Sequence, residues 1–111
     1  MLMSGAQTSE VAWRALSDRN RRRILALVRD EPKAVGEVAQ RLGMSQQVAS
    51  HHLRVLRGAG LVSEQRVRTR HLFVVRTDGL AAVSDFLDGF WPDRLRSLQR
   101  ASESEARRRR A

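Results

Sequence analysis

Cysteine is absent from this chain, and so is tyrosine. Without thiols there is no disulfide, no thiolate metal site and no thiol-based redox sensing. No apolar run approaches the roughly 18 residues that a membrane-crossing helix needs, so no span is expected. Met1 to Glu10 is polar and lacks the basic-then-apolar order of a secretory leader, from which a cytoplasmic location is expected. Lysine is nearly missing as well, since Lys33 is the single lysine among 21 basic side chains. No nucleophile–base pairing and no phosphate-cradling loop can be found, which argues against an enzyme and against any bound cofactor.

What is present is positive charge. The 21 basic side chains face 12 acidic ones, for a formal net charge of +9. Four of the positives form the run Arg107 to Arg110, yet 17 against 12 still leaves +5 without them. Such an excess points to a polyanionic partner. Arginine suits bidentate recognition of phosphate and guanine, although a GC-rich genome produces the same bias. At 111 residues the chain is one domain long, with a modest core that dimerisation would enlarge.

Periodicity divides the chain into a loose arm over 1–8, one folded domain over 9–100 and a disordered basic tail over 101–111. A short amphipathic helix starts near Ser9 and carries Val11, Ala12, Ala15 and Leu16, with Trp13 beside them. Ser17 and Asp18 are capping types and open a second helix over 19–30, which Asp30-Glu31-Pro32 ends. Val35, Val38, Ala39 and Leu42 then make a helical stripe over two turns, followed by Gly43 as a left-handed terminator. Ser45 caps the next helix, whose inward positions are Ala49, Leu53 and Leu56 and which Gly58 and Gly60 close. Two helices joined by Gly43-Met44-Ser45 must cross steeply, which is the helix-turn-helix arrangement. The period changes to two over Leu61–Arg66 and His71–Arg76, giving a β-hairpin with the basic tip Val67-Arg68-Thr69-Arg70, a wing. Thr77-Asp78-Gly79 starts a last helix that carries Leu80, Val83, Leu87, Phe90, Trp91, Leu95 and Leu98, and Pro92 should kink or restart it near Trp91. The fold class is therefore mainly α with a two-stranded β-wing: a winged helix-turn-helix of about five helices.

The outward residues of the second helix of the pair are Ser45, Gln46, Gln47, Ser50, His51 and Arg54. Gln reads adenine, Arg reads guanine and Ser bonds either bases or phosphates, so Gln46 and Gln47 lead as base readers of double-stranded DNA. Arg54 fits a phosphate contact better. Arg66, Arg68 and Arg70, with His71, bring charge to the wing, where a narrow minor groove attracts arginine. His51 and His52 diverge by 100° on a helix and cannot share one ion, and His52 points partly inward. Arg21-Arg22-Arg23 reads as a solvated helix face, and Lys33, just before a helix start, as a weak phosphate seat. The apolar set Val11, Trp13, Leu16, Leu80, Val83, Leu87, Phe90 and Trp91 is too broad for a monomer of this size and reads as a two-fold interface. A symmetric dimer of this kind binds a near-palindrome with half-sites about 34 Å apart.

Several strings in this order resemble the ArsR/SmtB family of winged-helix regulators. They are Ala15-Leu16-Ser17-Asp18 with Arg21 to Leu25, Val35-Gly36-Glu37-Val38-Ala39, and Ser45-Gln46 through His52-Leu53-Arg54-Val55-Leu56 to Ala59-Gly60-Leu61-Val62. The resemblance spans residues 11–98 and implies a dimer joined by its first and fifth helices, a repressor, and for many members release of DNA on binding an inducer. Phe90-Trp91 resembles a branch whose members often lack metal sites. Thiolate-sensing members carry cysteine where this chain has Ala34 and Gly36. The interfacial zinc site of others needs Asp-x-His, whereas Asp85 is followed by Phe86-Leu87 and no histidine lies beyond His71. The wing lacks the family's frequent glycine, and Gln47 stands where proline is common. A repressor without the usual metal sites is expected; a ligand- or metal-responsive sensor with a non-standard inducer site is the alternative, its site drawing on His71, Asp85, Asp88 and Asp93 or on an apolar pocket at the dimer interface.

Overall fold

The computed structural model describes the backbone of residues 5–110, and the side chains of these except 5–9, 94–97, 99 and 110. In chain order the elements are α1 (Gly5–Leu16), α2 (Arg19–Asp30), α3 (Val35–Leu42), α4 (Gln46–Gly58), β1 (Val62–Val67), β2 (Arg70–Val75), α5 (Asp78–Asp88) and α6 (Asp93–Arg110). Ile24, Val38, Leu53, Leu56, Leu61 and Val62 are the largest fully buried side chains, so the core sits among α2, α3, α4 and the root of the hairpin.

The corner between α1 and α2 is closed by arginine. Asp18 caps α2 by accepting from the Arg21 N–H at 3.1 Å, and that backbone donor holds its carboxyl below the usual range. The Arg21 guanidinium turns back to donate to the Ala15 carbonyl at 2.7 Å and the Arg14 carbonyl at 3.2 Å. Arg22 donates to the Leu16 carbonyl at 2.8 Å. Three carbonyls at the end of α1 thus find cationic donors, the arrangement a helix C-terminus favours. The arginine cluster is therefore structural at two of its three positions, not simply a solvated face.

Arg21 also reaches α4. Its Nη1 lies 3.4 Å from Nδ1 of His52, which is buried at 8 % exposure. Arginine has no acceptor, so this contact requires an unprotonated Nδ1. Burial lowers the His52 pKa, Asp18 opposes that shift, and Arg21 and His51 add to it.

The turn between α3 and α4 follows from its residue types. Gly43 adopts φ +66°, a conformation that costs a residue with a Cβ about 1 kcal/mol or more, and Met44 N–H closes onto the Ala39 carbonyl at 3.0 Å. Ser45 then caps α4 by accepting from Val48 N–H at 3.1 Å. The hairpin pairs Val62 with Val75 through Val67 with Arg70, leaving Arg68-Thr69 as a two-residue turn. Each strand is shifted by about one residue from the expected bounds. Arg68 is the one non-glycine residue at positive φ (+59°) among the described residues, in a turn position that glycine ordinarily fills.

Lys33 is not a surface phosphate seat. Its backbone pairs with Phe73 of β2, donating at 3.2 Å and accepting at 2.7 Å, so the α2–α3 loop adds a one-residue rung to the wing. Its side chain is buried, with Nζ donating to the Glu31 carbonyl at 3.3 Å.

Two further differences concern the ends. Gly5 to Thr8, expected as part of a loose arm, belong to α1; residues 1–4 lie outside the described residues. The expected last helix is two, broken at Gly89–Pro92, and the second continues to Arg110 where a disordered tail is expected. Its Arg, Ala, Gln and Glu content favours helix, and Arg109 donates to Glu105 one turn back at 2.7 Å. A missing apolar face rules out core packing, not helix. The α5 start is seated by close approach: a Cβ on Gly79 would lie 2.4 Å from the Ala59 carbonyl oxygen.

Because the folded state disfavours the charged form of His52, the unfolded chain takes up that proton more readily. This contribution to stability is fully present above the ordinary value near 6.5 and is lost as pH falls through the lower folded value. The Tm in circular dichroism should therefore fall as pH is lowered from about 8 to about 5, and His52→Gln should flatten that dependence. A second expectation comes from the wing turn. Arg68→Gly relieves about 1–2 kcal/mol of left-handed backbone cost and returns about half of it as added freedom of the unfolded chain. The Tm should rise by a few degrees.

Candidate nucleic-acid interface

The face of α4 opposite Ala49, Leu53 and Leu56 is open. Gln46, Gln47, His51 and Arg54 are exposed and Ser50 is half-buried. Ser45 Oγ accepts from Val48 N–H to cap α4 and keeps its own O–H donor. The Gln46 amide leans onto α3, where a Cβ at Gly36 would come within 3.0 Å of its Nε2. Gln47, His51 and Arg54 remain as a ridge at spacings of four and three, the geometry of one helix face. Gln46 and Gln47, equivalent in the sequence, are thereby distinguished.

The wing stands beside this ridge. Arg66, Arg68 and Arg70 are all exposed, and Arg66 Nε donates to the Arg68 carbonyl at 3.2 Å, bracing the tip. Arg70 is ion-paired with Glu37 of α3, whose carboxylate also accepts from the Ala34 N–H at 3.4 Å. A cleft of about 270 Å³ separates α4 from the wing, and Ser50, Arg54, Arg57, Glu64 and His71 line it. Glu64 accepts from Arg57 at 3.1 Å and meets His71 Nδ1 at 2.6 Å. Exposed pairs of this kind are worth about 0–1 kcal/mol, so they orient the basic groups without locking them away from a phosphate. Arg57 was not among the expected contacts, although its place three residues after Arg54 on the same ridge could have identified it.

A separate apolar surface lies where α1 packs on α5. Trp13 meets Phe86 edge-on with ring centroids 5.8 Å apart, and Phe86 meets Phe90 at 5.1 Å. Phe86, Leu87, Phe90 and Trp91 are exposed, Phe90 at 68 %. The expected interface set divides here. Val83 is buried within the single chain, and Val11, Leu16 and Leu80 are partly buried against its hydrophobic core. Leu95 lies outside the described side chains. Phe86 was missed, though it falls three residues after Val83 and four before Phe90.

Among the described residues no three His, Asp or Glu side chains converge to hold a metal ion, and no helix is long and apolar enough to cross a membrane.

Residues 16–65 match the helix-turn-helix domain family. The chain is 38 % identical over 103 residues to the HTH-type transcriptional regulator Rv2034 of Mycobacterium tuberculosis, covering 93 % of this chain and 96 % of that protein. Over 54 residues it is 35 % identical to the transcriptional repressor SdpR of Bacillus subtilis, covering 49 % of this chain and 60 % of that protein. The homodimeric winged helix-turn-helix DNA-binding domain Mb0332 of Mycobacterium bovis superposes with a TM-score of 0.63 at 27 % identity, covering 78 % of this chain and 84 % of that one. Neither fold nor relatives are those of an enzyme. The steep helix pair, the basic hairpin beside it and these likenesses together identify the chain as a member of the ArsR/SmtB family of winged helix-turn-helix transcriptional regulators.

Proposed function

We propose that the chain is a sequence-specific repressor that acts as a homodimer on a near-palindromic operator in the cytoplasm. The observation that carries this reading is the open ridge Gln47–His51–Arg54, with an exposed arginine wing on the other side of a cleft lined by Ser50, Arg54 and Arg57. In that reading α4 enters the major groove, with Gln47 as leading base reader and His51 beside it. Gln46 and Ser45 set the angle of entry. Ser50, Arg54 and Arg57 hold the strand between the grooves, and Arg66, Arg68 and Arg70 reach the adjoining minor groove.

Two copies join through the exposed aromatic edge of α5 together with Trp13. An unpartnered cluster of Phe86, Leu87, Phe90 and Trp91 is the kind of surface that marks an interface, and Mb0332 is a homodimer. Repression follows from occupancy of promoter DNA and agrees with the name of SdpR. An inducer-responsive sensor is the second reading, favoured by a cavity described below.

Footprinting on the chain's own promoter region tests the proposal; equal affinity for every duplex at physiological salt would refute it. Gln47→Ala should reduce discrimination among sequences by about 1–3 kcal/mol, seen as flattened base preference in a selection of bound DNA. Arg68→Gly, though more stable, should weaken all duplexes alike and lower the salt slope of log K by about 0.9. Phe90→Glu should leave the fold intact, because the residue is exposed, while sedimentation velocity reports a monomer.

A further inference from the structure

A second cavity lies away from the α4–wing surface, between α1, α2, β2 and α5. Its volume is about 340 Å³, at the lower end of the roughly 300–1,000 Å³ typical of small-molecule pockets. Leu16, Leu25, Ala26, Val75 and Leu80 form the walls, and Arg22 and Arg29 stand at the rim, with no carboxylate in the lining. Four of the five wall residues pack against the hydrophobic core, which fixes the shape of the cavity.

Both arginines keep donors available. Arg22 gives Nη1 to the Leu16 carbonyl at 2.8 Å, out of five N–H donors in all. Arg29 pairs with the adjacent Asp30 at 3.2 Å, both largely exposed, an attachment weak enough to exchange. Apolar walls beneath two guanidinium groups match an amphipathic anion rather than a cation or a neutral molecule.

We infer that this cavity binds a small monocarboxylate with an apolar body, its carboxylate at Arg22 and Arg29, and that the occupant is the effector of the regulator. The effector role rests on the proposed function; binding itself does not. The coupling route is local. Leu16 and Leu80 belong to the helices next to the dimerisation surface, Arg22 to Arg29 belong to α2, which packs on α4, and Val75 belongs to the wing. A bound molecule thus touches the wing and the helices beside the dimerisation surface directly, and reaches α4 through α2.

Calorimetry on the full chain without DNA tests the site, with decanoate, 1-decanol and decylamine below micellar concentrations as probes. Decanoate should saturate at one per chain and bind about tenfold tighter than decanol, the worth of a charge-assisted contact. Decylamine should bind less tightly still. Ala26→Phe should fill the cavity and lose decanoate by at least about tenfold, with Ala26→Met as the gentler substitute if the first variant fails to fold. Arg29→Gln should shrink the difference between decanoate and decanol. No saturable binding, equal binding of decanoate and decylamine, or binding unchanged by filling the cavity would each overturn the inference. So would dissociation of the dimer by Ala26→Phe, since a second copy would then be the occupant. A gel shift with and without decanoate is read separately: decanoate bound by a chain that binds no DNA would refute the regulator reading and leave the site standing.

Discussion

The Arg21 guanidinium is the joint on which the arrangement of this domain depends. It closes the carbonyl end of α1, belongs to a helix capped by Asp18, and touches His52 on the inward face of α4. One side chain, 13 % exposed, therefore ties the helix that carries Trp13 to the helix that carries Gln47. Its charge is compatible with that burial because the α1 carbonyls and the Asp18 carboxylate surround it, with neutral imidazole as the remaining neighbour. A small tilt at this corner becomes a large displacement at the far end of α4, so the strut fixes where the exposed face of that helix points.

Electrostatics on the opposite surface follows a different rule. Glu37 and Glu64 are set among the basic groups of the wing and of α4, each holding one or two of them in place. An array of arginines without such carboxylates would repel itself and spread over many rotamers. Weak exposed pairs give order at small energetic cost, and a phosphate can replace them because its charge is greater and its oxygens accept several donors.

Much of this was legible in the sequence because each signal was local. The α3–α4 turn needed a left-handed residue and a cap, and Gly43 and Ser45 supply them; Pro92 restarted the last helix where ring geometry requires it. What stayed hidden depends on contacts distant in the chain. Nothing near Lys33 announces a partner forty residues on, and nothing near Arg21 announces His52. Periodicity named the apolar face of α5 but could not divide it into the part facing α1 and the part left bare, since Val83 and Phe90 share one stripe. The tail is helical although it has no core-facing side, because helix propensity and burial are separate properties of a sequence.

The Lys33–Phe73 rung has a mechanical meaning. By stitching the loop ahead of α3 to the middle of β2, it removes the pivot on which a two-stranded hairpin would otherwise swing. The wing and α4 become two prongs of one rigid gauge, with a separation set by covalent geometry and backbone bonds. In the proposed mode of binding such a gauge would measure length along a duplex as well as chemistry. Where major-groove letters and a narrow neighbouring groove occur at the wrong interval, the prongs could not both engage, however well each element suits its own half.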